Sequence, residues 1–191
     1  MRDRLGREYF EDLYSNSTDP WNFESSEYER VKYARTLELL GNRRFGRALE
    51  AGSSIGVFTK MLADRCGELV AVDVSEKAVE VARERLRGVA NVEIERRTLP
   101  EEMPSGSFDL IVASEILYYF TRPEMLATLE RFEDSLAPGG VLVAVHWRRE
   151  TKTYPLQGDE VHELLLQNSR LKKTASVIEA DYRIDRLEDT Q

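Results

Sequence analysis

A chain of 191 residues with 41% hydrophobic content has the material for one domain with a sizeable core. Its formal net charge of −8, from 35 acidic against 27 basic side chains, leaves no broad polyphosphate-binding face and argues against DNA or RNA as a substrate. The single cysteine, Cys66, excludes an internal disulfide and is expected in the core. No apolar run reaches the roughly 18 residues of a membrane span, and Met1 opens onto charged residues, so a cytoplasmic protein with no membrane partner is predicted.

Within residues 1–14, Leu5, Tyr9, Phe10, Leu13 and Tyr14 fall at helical spacing and predict a short amphipathic helix. Asp19-Pro20 builds a turn in Ser15 to Phe23 that presents Trp21 and Phe23. Ser26 to Glu29 has the capping-box form and opens a second helix expected to carry Tyr28, Val31, Leu37 and Leu40. These two helices either cover a sheet edge or act as a lid in which Trp21, Tyr28 or Tyr33 closes over a bound molecule.

Arg47 to Leu62 (RALEAGSSIGVFTKML) then reads as strand, glycine turn and helix start. Ala48 to Ala51 is a short apolar run holding Glu50, and Gly52 and Gly56 bracket a small-residue turn with Ser53 and Ser54. Val57, Phe58, Met61 and Leu62 open an amphipathic run. Glycine there lets the backbone bend and a ligand approach closely. The next strand, Glu68 to Val74, contains Asp73, 21 positions after Gly52, where a nucleotide-type βαβ unit places the carboxylate for ribose hydroxyls.

Ser75 caps a helix with Ala78, Val79, Ala82 and Leu86 on its apolar face, and Val92 to Thr98 forms a third strand. After the loop Leu99 to Ser107, Phe108 to Ser114 is a continuous apolar run typical of a strand buried on both faces. A helix from Pro123 to Leu136 and the turn Pro138-Gly139-Gly140 lead to a strand, Val141 to Val145, that ends in His146-Trp147. Gly158 to Arg170 predicts one more helix, and Leu171 to Leu187 a terminal antiparallel pair. The βαβα alternation predicts an α/β fold with a doubly wound, mostly parallel seven-stranded sheet. Residues 1–43 form a helical lid and 44–191 the core of a single domain.

A dinucleotide fingerprint would require small residues at positions 54 and 57, where the chain has Ser54 and Val57. The pattern present, E-x-G-x-x-x-G with Asp73, resembles the motif pair of the class I S-adenosylmethionine (SAM) methyltransferases, with Ser54 where most of that superfamily has glycine. More narrowly, the chain resembles the nodulation protein S family of N-methyltransferases, which act on the deacetylated amino sugar of chitooligosaccharides. The resembling blocks are DPWNFESSEYERVKY (19–33), ALEAGSSIGVFT (48–59), AVDVS (71–75), FDLIVASEILYY (108–119), VAVHW (143–147), YPLQGDEVH (154–162) and YRIDRLE (182–188). The glycine and Asp73 blocks imply only SAM. The D-P-W…S-x-Y-E-R block and the H-W…G-D-x-x-H pair imply the narrower family. Where the family has an acidic residue after the third strand for the adenine amino group, this chain has Thr98, so its hydroxyl or the backbone of Leu99 is expected to serve.

In an open parallel sheet, ligands bind beyond the carboxyl ends of the strands. Glu50, Gly52, Asp73, Thr98, Ser114, Glu115, His146 and Trp147 all follow such ends. The expected assignment gives Gly52 to Gly56, including Ser53 and Ser54, to the methionine part of SAM and Asp73 to its ribose. Val74 and Leu99 enclose the adenine, and Trp21 and Tyr28 close over the cofactor and substrate. Methyl transfer from a sulfonium is an in-line displacement that rests on positioning, with a base needed only if the acceptor arrives protonated. His146 and His162, the only histidines, are candidates for that base, and Glu115 and Asp159 for holding a cationic amine or sugar hydroxyls. No Asp-Asn ligand pair follows the fourth strand, so no metal is expected. Ala113-Ser114-Glu115-Ile116 stands where nucleic-acid and glutamine methyltransferases carry N-P-P-Y. The partner expected is therefore a small-molecule acceptor, an amino sugar ahead of a natural-product hydroxyl; a non-catalytic SAM-binding subunit is the alternative of another class. The chain is expected as a monomer or homodimer.

Overall fold

The strands are β1 (Phe45–Ala51), β2 (Cys66–Asp73), β3 (Val92–Arg96), β4 (Phe108–Ser114), β5 (Leu136–Trp147), β6 (Lys172–Ile178) and β7 (Tyr182–Glu188). They form one sheet in the order β3-β2-β1-β4-β5-β7-β6. This computed structural model describes residues 2–190; Met1, on which the expectation about the N-terminus rests, and Gln191 lie outside the described residues. Strands β3, β2, β1, β4 and β5 run parallel, and β7 lies antiparallel between β5 and β6. From β1 the chain steps outward to β2 and β3, then returns to β4 on the other side of β1. The loops after β1 and β4 therefore diverge, and a crevice opens between them.

The strand pattern divides the core between the two faces of the sheet. Leu49, Ala51, Ile111, Ala113, Leu142 and Ala144 pack in one cluster, while Ala48, Leu110, Val112, Val141, Val143 and Val145 pack in the other. Both sets are buried, which is why β4 and β5 read as unbroken apolar runs rather than alternating ones.

Among the described residues, six α-helices cover these faces: α1 (Arg7–Asn16), α2 (Glu27–Leu39), α3 (Val57–Ala63), α4 (Glu76–Arg85), α5 (Arg122–Ser135) and α6 (Gly158–Asn168). Helix α1 is tied to the start of α4 by Glu11, whose carboxylate accepts from Glu76 N at 2.7 Å and from Ser75 Oγ at 3.2 Å. The α4 N-terminal amides and dipole favour an anion there. The N-terminal helices thus sit across the strand ends.

Four elements depart from expectation. β3 stops at Arg96 because the Thr98 amide turns to the Glu102 carboxylate at 2.7 Å instead of extending the ladder. β5 starts at Leu136, ahead of the glycines, through a register shift against β4 between Phe108 and Leu110. A short 3-10 turn, Leu117–Tyr119, follows β4 where the sequence gives no periodic signal.

The largest departure is α2. Its buried residues are Glu29, Lys32, Tyr33 and Thr36, at i, i+3, i+4 and i+7, while Val31 is 40% exposed. The inward stripe is largely polar.

Candidate functional site

A cavity of about 330 Å³ lies beyond the β1 and β4 ends, roofed by α1, α2 and the loop between them. Its floor begins at the glycine turn. Gly52 has φ +85, and a Cβ there would meet Ser114 O at 3.1 Å and Ile116 Cβ at 3.3 Å, so neither the backbone angle nor the space admits a side chain. Gly56 serves packing: its would-be Cβ faces Ala82 Cβ and Leu86 Cδ1 at 3.1 Å, where α3 meets α4.

Between them, Ser54 occupies the left-handed region at φ +50, unusual for a residue with a Cβ. Its Oγ shares a 2.5 Å hydrogen bond with the buried Tyr14 hydroxyl of α1. The helix is thereby latched to the turn.

Asp73 closes this end. Its Oδ2 accepts from Ser54 N at 2.8 Å and its Oδ1 from Ser75 N at 3.0 Å. The amides fix the carboxylate at the cavity wall, beside Val74, Leu99, Arg97 and Val72. Burial nevertheless raises its pKa above the ordinary value, so a cation or hydroxyl donor brought to it would be favoured. Thr98 is not among the lining residues.

Glu50 does not line the cavity either. It lies between Leu49 and Ala51 on the strand, points to the opposite face and is 1% exposed. Its Oε2 and the neighbouring Ser53 Oγ and Thr59 Oγ1 have no hydrogen-bond partner among the described residues. Burial pushes the Glu50 carboxyl up to about 8.

At the other end, Glu115 follows β4 at φ +55, a second strained residue, costing roughly 1–3 kcal/mol of the kind found at functional sites. Its Oε1 accepts from Lys32 Nζ at 2.5 Å, and its Oε2 accepts from Trp147 N at 2.9 Å and from the Tyr118 hydroxyl. Lys32 also donates to Glu29 Oε1 at 3.0 Å and lies 5.0 Å from the Tyr28 ring centre. Burial works against the Lys32 charge, but Glu115 and Glu29 overcome it and hold the ammonium above the usual lysine range. Aromatic walls complete this end. Tyr28 lines it beside Lys32, Trp21 lines the cavity beside Tyr14, and Tyr33 is buried, stacked on Phe58.

The structure corrects the placement of both histidines. Leu117 N donates to His146 Nε2 at 3.2 Å, so His146 carries its proton on Nδ1 and donates to His162 Nε2, 3.2 Å away. His162 Nδ1 then donates to Asp185 Oδ2 at 2.7 Å, and Ser176 Oγ donates to Oδ1 at 2.6 Å. Every ring nitrogen is occupied, both rings are 0% exposed, and neither lines the cavity. Burial, helped at His146 by the neighbouring His162, pushes both below the ordinary imidazole range and keeps them neutral. They are a strap that holds the 3-10 turn, and with it Tyr118 and Tyr119, against β5 and β7. Asp159 is paired with Arg148 at 2.8 Å outside the cavity, which keeps its carboxyl low.

Glu29, Lys32 and Tyr14 are site residues that the sequence reading missed. A signal existed for two of them. Glu29, Lys32 and Thr36 repeat at helical spacing, and only the assumption that polar stripes face water hid them.

Residues 9–176 match the family model described as Nodulation protein S (NodS). The chain is 36% identical over 129 residues to nodulation protein S of Bradyrhizobium diazoefficiens, covering 65% of this chain and 61% of that protein. It is 35% identical over 127 residues to the Rhizobium tropici protein, covering 65% and 53%. The match thus spans less than two thirds of these curated relatives. Among solved structures, N-methyltransferase NodS from Bradyrhizobium japonicum WM9 in complex with S-adenosylhomocysteine (SAH) superposes with TM-score 0.85 at 25% identity, covering 97% of this chain and 98% of that one. A putative methyltransferase from Pseudomonas syringae superposes with TM-score 0.75 at 35% identity, covering 85% and 99%. With that fold, and with a family model matched over most of its length, the chain belongs to the nodulation protein S family.

Proposed function

We propose that this chain transfers a methyl group from SAM to the free amine of an amino sugar or its glycoside. The observation that carries the reading is the cavity itself. A glycine turn and an amide-held aspartate stand at one end, and a carboxylate-rich aromatic chamber at the other, within a volume suited to small molecules. Solved relatives support both halves: one is a NodS N-methyltransferase with SAH.

The residues fit the donor. The Gly52 turn lines the cavity, Asp73 offers oriented carboxylate oxygens to a ribose, and Val74 and Leu99 give apolar contact for a base. SAM supplies an electrophilic methyl group on a sulfonium. The aromatic faces of Trp21 and Tyr28 and the nearby carboxylates suit a cationic centre. Tyr118 and Tyr154, stacked at 4.9 Å, both line the cavity.

Incubation with labelled SAM and a panel of free and N-acetylated amino sugars tests the proposal. Label on free amines only is expected. Label on hydroxyl acceptors alone, or on none, overturns it.

A further inference from the structure

The histidine strap runs from β7 to the acceptor end of the cavity, and its polar groups are all committed. Asp185, His162 and His146 are 0% exposed. At the far end Ser176 Oγ donates to Asp185 Oδ1 at 2.6 Å, and Arg183 Nε lies 2.9 Å from Oδ2. Replacing both partners of a buried hydrogen bond by apolar groups of like shape is often nearly neutral, so stability alone does not call for three such residues. What the strap adds is direction. The Asp185 carboxylate only accepts, which keeps the proton of each imidazole on Nδ1 and leaves His146 Nε2 as the acceptor for Leu117 N at 3.2 Å.

That last bond joins the neighbours of two donors to one oxygen. Leu117 precedes Tyr118, whose hydroxyl donates to Glu115 Oε2, and His146 precedes Trp147, whose amide donates to the same Oε2 at 2.9 Å. The Tyr118 ring also stands edge-on to His146, with 5.2 Å between centres. Glu115 needs such a hold, because φ +55 is a conformation that its own backbone disfavours. Glu115, Tyr118 and Trp147 line the cavity, whereas the strap behind them does not.

We infer that His146, His162 and Asp185 are positioning residues for the methyl acceptor: they fix the Leu117–Tyr119 turn on β5 and thereby aim Glu115 and Tyr118 at the acceptor amine. The inference rests on the amine-methylating reading above and deepens it. The donor end is held separately, through Asp73 on the amides of Ser54 and Ser75 and through Tyr14 on Ser54. Loosening the strap therefore acts on the acceptor and spares SAM.

His162→Leu and His162→Gln test this as a pair. Both cut the tie to Asp185, but the glutamine keeps an oxygen to which His146 Nδ1 can donate. Leucine leaves that N–H unpaired and frees the proton to move to Nε2, against the Leu117 amide. With labelled SAM and glucosamine, kcat/KM for the acceptor should fall at least about tenfold in His162→Leu and largely recover in His162→Gln. Calorimetry should place the SAH Kd of both variants within about threefold of wild type. A second readout uses the unaltered protein: it has only two histidines, so imidazole nitrogen NMR shows which nitrogen of each is protonated, and both should carry the proton on Nδ1. A proton on His146 Nε2 in the wild type overturns the inference, whether or not the variants fold. So does a kcat/KM that is unchanged in His162→Leu, falls together with SAH affinity, or falls equally in His162→Gln, while wild-type methylation of glucosamine stands. Failure of the wild type to methylate any amine overturns the functional reading instead.

Discussion

Replacing Ser54 separates two effects that meet at one residue. Its φ of +50 costs a side-chain-bearing residue about 1–2 kcal/mol, while its bond to the buried Tyr14 hydroxyl is worth about 1 kcal/mol, and more if Tyr14 is left unpartnered. Ser54→Ala keeps the strain and loses the bond, so it should destabilise the fold by about 1–3 kcal/mol. Ser54→Gly also loses the bond but relieves the strain, offset by roughly 0.4–1 kcal/mol of added freedom in the unfolded chain. It should therefore lie within about 1 kcal/mol of wild type. Urea unfolding by linear extrapolation reads these differences. A double-mutant cycle with Tyr14→Phe should give a coupling of about 0.5–1.5 kcal/mol between positions 14 and 54. Strict additivity, or Ser54→Gly as damaging as Ser54→Ala, would refute the idea that the turn is strained and latched to α1.

Three further outcomes follow from the geometry. Gly52→Ala places a Cβ against Ser114 O in the left-handed region; calorimetry should show SAH affinity down by at least about tenfold, with a stability loss of only about 1–3 kcal/mol. His162→Ala opens the strap and should cost about 2–5 kcal/mol, read by urea unfolding. Because folding lowers both histidine pKa values, the unfolded chain binds more protons below about pH 6.5, wild-type stability falls as pH drops there, and the variant should lose part of that slope. Glu50 works in the opposite direction. Its carboxyl is pushed up to about 8, so stability is lost as pH rises from about 4.5 towards 8, and Glu50→Gln should gain on wild type by on the order of 4 kcal/mol near pH 9. Parallel pH curves for the two proteins would exclude a buried, proton-bearing Glu50.

Strand order and switch point were legible because β4 and β5 hold near-continuous apolar runs and β1 and β2 shorter, mostly apolar ones, separated by glycine, proline and cap residues. Gly52 and Asp73 were legible for a related reason: their spacing is set by one βαβ unit and needs no distant partner. The histidine strap was not legible. His146, His162 and Asp185 lie on β5, α6 and β7, so only the folded register brings them together, and a histidine at a strand end with a second on the following helix suggests a base equally well. Helix α2 misled for another reason. Its inward stripe contains Glu29 and Lys32, against the ordinary rule that charge faces water, and such local violations concentrate where a fold binds something. Ser54 shows the same effect at the level of a single backbone angle.

The most direct test of the whole assignment is a crystal structure with SAH. The account predicts the ribose hydroxyls on Asp73, the methionine part against Gly52 to Ser54, and the sulfur facing the chamber of Glu29, Lys32 and Glu115. SAH bound elsewhere, or with its ribose far from Asp73, would contradict it.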